Sequence, residues 1–260
     1  VPRWKTHSKI TLVVRREADG LRHYTHFGTG NYNDTTAKIY TDMGILTCDK
    51  QLGEDAAAFF NLILGYNYTY PMREMIASPY RLREAMLEKI SREAENARQG
   101  RASGITMKMN SLSDKEMIDA LREAARAGVM VRLMVRGICC LNYRENPNLQ
   151  IYSAVGRFLE HARVYSFENG GEKEVYLSSA DLMPRNLDKR VELATPVKDK
   201  RIREQILSLL ELGLMDNQKL WQLVHGNRYE RVPRALPAVN AQEELLKSPN
   251  PLLDSQFLRG

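Results

Sequence analysis

Hydrophobic and polar positions alternate with two different periods along this chain. Ile10 to Arg15 is short and β-branched, which predicts a strand. Asp19-Gly20 marks a hairpin turn, and Leu21 to Phe27 reads as the return strand. Gly28 to Asp34 is a small polar loop, and Glu54 to Leu64 predicts a helix that ends near Gly65. Pro71 follows an irregular tyrosine-rich stretch, Tyr66 to Tyr70, and marks a connection. Ser78 as cap and Pro79 at the first helical position predict a helix to about Gln99, with Gly100 as its stop. Leu82, Met86 and Ile90 set its apolar stripe.

Ile105 to Met109 reads as a strand, and Ser113-Asp114-Lys115-Glu116 has the form of a capping box for a helix that ends at Gly128. Val129 to Val135 is apolar except for Arg132, as a strand buried on both faces would be. Strand, helix, strand in that order predicts a βαβ crossover in an α/β layer. Arg163 to Phe167 and Val175 to Leu177 are further strands, and Lys200 to Leu214 is a helix. Beyond about Gly226, Pro233, Pro237, Pro249 and Pro251 predict an irregular arm over the surface, disordered at its end.

Composition adds a sign rather than a fold. With 260 residues, 43% of them hydrophobic, the chain can bury a core, and 38 basic against 32 acidic residues leave a net charge of +6. That excess suits either simple solubility or a polyanionic partner: nucleic acid, anionic lipid or polyphosphate. No stretch approaches the ~18 apolar residues of a membrane span, and no signal peptide is visible. Three cysteines without a C-x-x-C pair argue against a zinc ribbon or a redox motif. Cys139 and Cys140 lie in an apolar run and are expected as buried thiols. A start at Val1-Pro2-Arg3, running almost directly into a strand, is what a fragment of a longer chain would show.

Two segments echo one another. Thr6-His7-Ser8-Lys9 precedes a hairpin and Gly28-Thr29-Gly30-Asn31; Glu160-His161-Ala162-Arg163 precedes a hairpin and Ser178-Ser179-Ala180-Asp181. In each, a base two residues along a strand from a histidine shares its face. Two such segments suggest equivalent half-sites meeting at one cleft. A neutral imidazole can attack phosphorus, a nearby cation offsets the charge, and a second histidine opposite can protonate the leaving oxygen. Small loop residues let phosphate oxygens approach backbone N–H groups.

At these residues the chain resembles the C-terminal half of bacterial polyphosphate kinases of the histidine-phosphorylating type. The resembling stretches are Lys5 to Lys9, Gly28 to Asn33, Ile39 to Asp42, Val135 to Cys139 and Ser178 to Asp188. The resemblance implies an α/β fold of two phospholipase D-like domains, each a mixed sheet flanked by helices, facing a shared active site. The first (residues 1–75) would be truncated at its N-terminus, and the second (76–260) would carry the irregular arm. It also implies reversible transfer of the ATP γ-phosphoryl group to inorganic polyphosphate through a phosphohistidine, with Mg²⁺. His7 then corresponds to the phosphorylated histidine and His161 to a second active-site histidine acting as general acid. Tyr40 and Arg136 correspond to nucleotide-phosphate contacts. Lys9, Arg163 and Arg185 would line the phosphate path by charge. The metal ligands are left unassigned, and His23, His26 and His225 match no motif. The family implies a homo-oligomer in the bacterial cytoplasm, beside the inner membrane.

Departures separate the rival readings. A phospholipase D motif would carry Asp five residues after its base, where this chain has Val14 and Glu168. That argues against a phosphodiesterase acting on lipid or nucleic-acid diesters. A non-catalytic basic module that only holds a polyanion is the other alternative. No nucleic-acid-binding module is visible, and the aromatic residues are not clustered with the basic ones, so nucleic acid is not an expected partner.

Overall fold

The computed structural model describes residues 4–65, 72–142 and 146–248. In chain order the first half runs β1 (Lys5–Thr6), β2 (Lys9–Glu17), β3 (Gly20–Gly28), α1 (Asp34–Ala37), β4 (Tyr40–Thr41), β5 (Gly44–Thr47) and α2 (Lys50–Leu64). The second half continues with β6 (Ile76–Ser78), α3 (Leu82–Arg98), β7 (Gly104–Met109), α4 (Lys115–Arg126) and β8 (Met130–Val135). Then come β9 (Leu149–Ala154), β10 (Leu159–Glu160), β11 (Arg163–Phe167), β12 (Glu174–Ser178), α5 (Pro184–Asp188), β13 (Arg190–Pro196) and α6 (Lys200–Met215). The arm adds β14 (Leu220–Val224), β15 (Arg228–Arg231) and α7 (Ala241–Lys247).

The hairpin read from Asp19-Gly20 is present: Glu17 pairs with Gly20, whose φ of +124° suits a residue without Cβ. β2, β3 and β5 form one antiparallel sheet with α2 on its inner face, where Phe27, Leu52, Ala56, Phe59 and Leu62 are buried. The ten-stranded sheet has the order β1-β13-β12-β11-β7-β8-β9-β14-β15, with β6 also on β13. β7 and β8 are parallel and joined through α4, the crossover that the strand-helix-strand pattern predicts. A large core lies under α3 and α4, built from Met86, Ile90, Met107, Met117, Leu121 and Leu133, among others. A further cluster sets Ile206 and Leu210 of α6 against Val164, Val175 and Leu177.

The halves share their cores. Val191 and Leu193 of β13 complete the cluster around α2, and Met43 and Ile45 of the first half pack against the α6 cluster. Burial at roughly 25 cal/mol per Å² acts across the junction as well as within each half. The two edges that meet there are therefore held in place.

Several sequence expectations are corrected. Ser78 does not cap a helix: it ends β6, opposite Glu192 of β13. Its Oγ donates to the carbonyls of Asn186 and Leu187, so it is committed elsewhere and α3 begins only at Leu82. Asp114, not Ser113, caps α4, because its carboxylate accepts the Met117 N–H at 3.1 Å. α2 starts earlier than read, with Asp49 accepting the Leu52 N–H at 2.9 Å. β8 is not buried throughout: Met130 is exposed, and Arg132 reaches Glu211 of α6 at 2.8 Å. Cys140 is exposed and Cys139 only half buried, because the apolar run leaves the strand after Val135 and continues as a surface loop. The arm beyond Gly226 is less irregular than its prolines suggest, since β15 pairs with β14 and α7 is helical. Its end from residue 249, and the stretch from Tyr66 to Pro71, lie outside the described residues.

Candidate active site

Each histidine of the echo follows a two-residue strand, and each of those strands pairs with the opposite half. β1 lies parallel to β13, with Lys5 opposite Arg190 and Thr6 opposite Val191. β10 lies parallel to β4, with Leu159 opposite Tyr40 and Glu160 opposite Thr41. The Val191 carbonyl accepts the N–H groups of His7 and Ser8 at 2.8 and 3.1 Å. The Thr41 carbonyl accepts those of His161 and Ala162 at 3.1 and 2.9 Å. The two histidines thus hang from matching backbone anchors across an approximate two-fold relation.

The residue after each anchor is a carboxylate. His7 Nδ1 lies 2.8 Å from Glu192 Oε2, and His161 Nδ1 lies 2.8 Å from Asp42 Oδ1. A carboxylate only accepts, so each Nδ1 carries the proton and each Nε2 is left as the lone pair. The carboxylates are themselves fixed by small hydroxyls from the two echoing loops. Thr29 Oγ1 donates to Asp42 at 2.6 Å and accepts the Met43 N–H at 3.0 Å. Ser179 Oγ donates to Glu192 at 2.5 Å and accepts the Leu193 N–H at 3.1 Å. Asn186 adds a bond to the other Glu192 oxygen at 2.7 Å.

Each base folds back onto the backbone of its own histidine. Lys9 Nζ donates to the His7 carbonyl at 2.5 Å, and Arg163 Nη1 donates to the His161 carbonyl at 2.9 Å. Arg163 also holds Asp181 at 3.1 Å and, through Nη1, reaches His161 Nε2 at 3.0 Å. The two histidines therefore differ. No hydrogen bond meets His7 Nε2 among the described residues, while His161 Nε2 is covered by Arg163.

Electrostatics tie both motifs to one place. Burial pushes the Lys9 ammonium down to about 8, while Glu192 and Asp42 act upward and Arg163 and Arg190 downward. Lys9 therefore feels the carboxylate partners of both histidines. Burial lowers His161 below the usual imidazole value, against the upward pull of its Asp42 hydrogen bond, and nearby Arg163 lowers it further. Burial raises the Asp181 carboxyl, but Arg163 and the N–H groups of Asn110 and Ser111 outweigh that and hold it below its ordinary value. Arg136 leaves the C-terminal end of β8, as expected, and its Nε donates to Asn110 Oδ1. Burial and then Arg163 depress its guanidinium, and its field includes Tyr40. The Tyr40 ring lies 4.9 Å from that of His161, tilted by 40°.

His7, His161, Lys9, Arg163, Arg136 and Tyr40 are thus brought together. Arg185 is placed apart: it is exposed on α5, and no side-chain contact ties it to either histidine among the described residues. Sequence reasoning missed Glu192, Ser179 and the roles of Asp42 and Thr29. Their signal was there in part, since Thr29 and Ser179, Asp42 and Glu192, and the caps Asp49 and Asp199 repeat at one constant spacing.

The carboxylates do not assemble a metal cage. No group of three or more His, Cys, Asp or Glu side chains with metal-binding geometry occurs among the described residues. Asp42, Glu192 and Asp181 are each engaged by an imidazole or a guanidinium, and are thus committed to side-chain partners among the described residues.

Comparison with known proteins agrees with the geometry. Residues 75–242 match the family described as polyphosphate kinase C-terminal domain 2, and residues 1–69 match polyphosphate kinase C-terminal domain 1. A polyphosphate kinase of Rhodopirellula baltica is 46% identical over 246 residues, covering 93% of this chain and 29% of that protein. One from Staphylococcus haemolyticus is 46% identical over 247 residues, covering 94% of this chain and 34% of that protein. The crystal structure of polyphosphate kinase from Porphyromonas gingivalis superposes with a TM-score of 0.89 at 34% identity, covering 95% of this chain and 39% of that one. The chain belongs to the polyphosphate kinase family, and it spans about a third of the length of the curated relatives it matches. The two halves facing one site are the arrangement that the sequence resemblance implies.

Proposed function

We propose that this chain carries the phosphoryl-transfer centre of an ATP:polyphosphate phosphotransferase, with His7 as nucleophile. The observation that carries the reading is the contrast between the two histidines: no hydrogen bond meets His7 Nε2 among the described residues, while that of His161 is occupied by Arg163. The Nε2 lone pair attacks the γ-phosphorus, the bond to the bridging oxygen breaks, and ADP leaves. The imidazole then bears positive charge, which Glu192 offsets through Nδ1. A terminal oxygen of the polyphosphate chain next attacks the same phosphorus, the P–N bond breaks, and the imidazole is regenerated. The reverse sequence makes ATP.

Lys9, Arg163 and Arg136 supply the charge that the equatorial oxygens need. Tyr40 takes a phosphate oxygen at the edge of the same cleft. His161 rests in its neutral form, so it serves as general acid only after gaining a proton, and as base in the opposite direction. Mg²⁺ would come with the nucleotide phosphates, need no more than one or two carboxylates from the protein, and supply charge to the transferred group's oxygens. Arg185, exposed on α5 and apart from both histidines, is not assigned a part in the transfer step.

The same reading carries a homo-oligomer in the bacterial cytoplasm, beside the inner membrane. No helix among the described residues is long and apolar enough to cross a membrane. The direct test is to incubate the full-length parent protein with ATP, Mg²⁺ and a polyphosphate primer and follow ADP release against chain growth. Equal amounts of both are expected, with loss of both in His7→Ala. Cleavage of a phosphodiester without ATP, or salt-sensitive polyphosphate binding with no turnover, would overturn the reading.

A further inference from the structure

α7 packs Ala241 against Leu212 and Val239, but its most buried side chain is polar. Of its seven residues only Gln242 is buried, at 8% exposure, while Leu245 and Leu246 are 37% and 59% exposed. A short helix held by the hydrophobic effect would turn its leucines inward. This one turns a carboxamide inward, and all of its hydrogen-bonding capacity toward that side is used. Gln242 Oε1 accepts the Phe158 N–H at 2.9 Å. Its Nε2 donates to the Phe158 carbonyl at 2.9 Å and to Glu160 Oε1 at 2.5 Å. The other Glu160 oxygen takes Lys108 and Thr41 Oγ1, each at 3.0 Å. Glu160 is the residue before His161, and Thr41 is the residue before Asp42.

The arm that delivers Gln242 is itself pinned. Asp216, at the end of α6, accepts the Ala241 N–H at 2.9 Å, and Asn217 accepts the Val239 N–H at 2.9 Å. Gly156 leaves room for the carboxamide, since a Cβ there would stand 2.4 Å from Gln242 Oε1. The segment from Gly156 to Glu160 is thus clamped from outside the two-fold arrangement. On the His7 side, β1 pairs with β13 and with no other strand among the described residues.

We infer that Gln242 is a positioning residue for His161: through Phe158 and Glu160 it fixes β10 against β4, and so sets the imidazole on Asp42. The inference rests on the role proposed above for His161. It makes the proline-rich arm part of the catalytic apparatus rather than a surface tail.

The test is a double-mutant cycle in the full-length parent protein. Gln242→Ala is expected to lower kcat on the order of 10-fold with little change in KM for ATP, because it misplaces a group that acts in the transition state. In a His161→Ala background the same substitution is expected to cost nothing further. Gly156→Ala approaches the contact from the other side and is expected to give the same non-additive loss, which guards against a folding failure of one variant. NMR of ring-¹⁵N histidine gives a readout that needs no turnover: the His161 titration, already depressed in the parent, is expected to move further down in Gln242→Ala as the imidazole loses the upward pull of Asp42. Equal losses in both backgrounds, or an unmoved titration, would overturn the inference while leaving the kinase reading intact. If His161→Ala itself left turnover unchanged, the role of His161 and this inference would fall together.

Discussion

Glu192 holds His7 from across the molecule, with Oε2 2.8 Å from the imidazole Nδ1, 185 residues away in sequence. Its neighbours all donate to it, Asn186 to Oε1 and Ser179 and His7 to Oε2. Glu192→Gln removes the negative charge that offsets the imidazole once it carries the phosphoryl group. Phosphohistidine formation is expected to fall on the order of 10²-fold, the scale on which a lost charge-stabilising group acts in an active site. Single-turnover labelling with ATP measures it.

The small residues of the two loops answer the sizes of the two carboxylates. A Cβ on Gly30 would lie 2.4 Å from Asp42 Oδ2, whereas the matching position in the second half is Ala180, set against the longer Glu192. Gly30→Ala is therefore expected to push Asp42 off His161 and cost on the order of 10²-fold in kcat, the scale of a misplacement near 1 Å. Steady-state kinetics beside a thermal melt would separate this from unfolding.

Lys9 gives the site a pH dependence with a definite sign. Its ammonium, brought down to about 8 by burial, is charged at neutral pH and loses its charge as pH rises through that value. KM for the anionic substrate is expected to climb above pH 8, and Lys9→Arg is expected to remove that climb, since a guanidinium stays protonated. The same shift bears on stability. Between about 8 and the ordinary 10.5 the unfolded chain holds more protons than the folded one. Stability from this group therefore rises with pH across that window and is lost below it.

Arg163 and Asp181 form a buried pair, with 4% and 7% exposure. Removing only Arg163 strips a buried carboxylate of its hydrogen-bonded counter-charge and leaves it to backbone N–H groups and the more distant Arg136. Arg163→Ala is expected to destabilise the fold by about 3–5 kcal/mol, and adding Asp181→Asn is expected to recover part of that loss. Urea denaturation of the three variants checks it.

Local chemistry made much of this molecule legible in its sequence. The hairpin at Asp19-Gly20, the β7-α4-β8 crossover and the emergence of Arg136 at a strand end follow from propensity and period, which act over a few residues. The His-x-base echo predicted each base beside its imidazole; Arg163 reaches the His161 ring, while Lys9 reaches the His7 backbone carbonyl. What the sequence hid depends on pairing between distant segments. Glu192 and Asp42 become partners of the histidines only because β1 lies on β13 and β10 on β4, in strands of two paired residues that carry almost no pattern of their own. Ser78 had the right chemistry for a cap, but tertiary partners claimed its hydroxyl. α7 sits among prolines and buries a carboxamide rather than its leucines, so its apolar period does not mark the docked face.

The central claim is that His7 Nε2, and not His161, carries the phosphoryl group. The measurement is incubation of the full-length parent protein with γ-labelled ATP and Mg²⁺, followed by acid and base treatment, beside His7→Ala and His161→Ala. The account predicts acid-labile, base-stable label on the protein, absent from His7→Ala and still formed, more slowly, in His161→Ala. Label that survives His7→Ala, or that disappears only with His161→Ala, would contradict it.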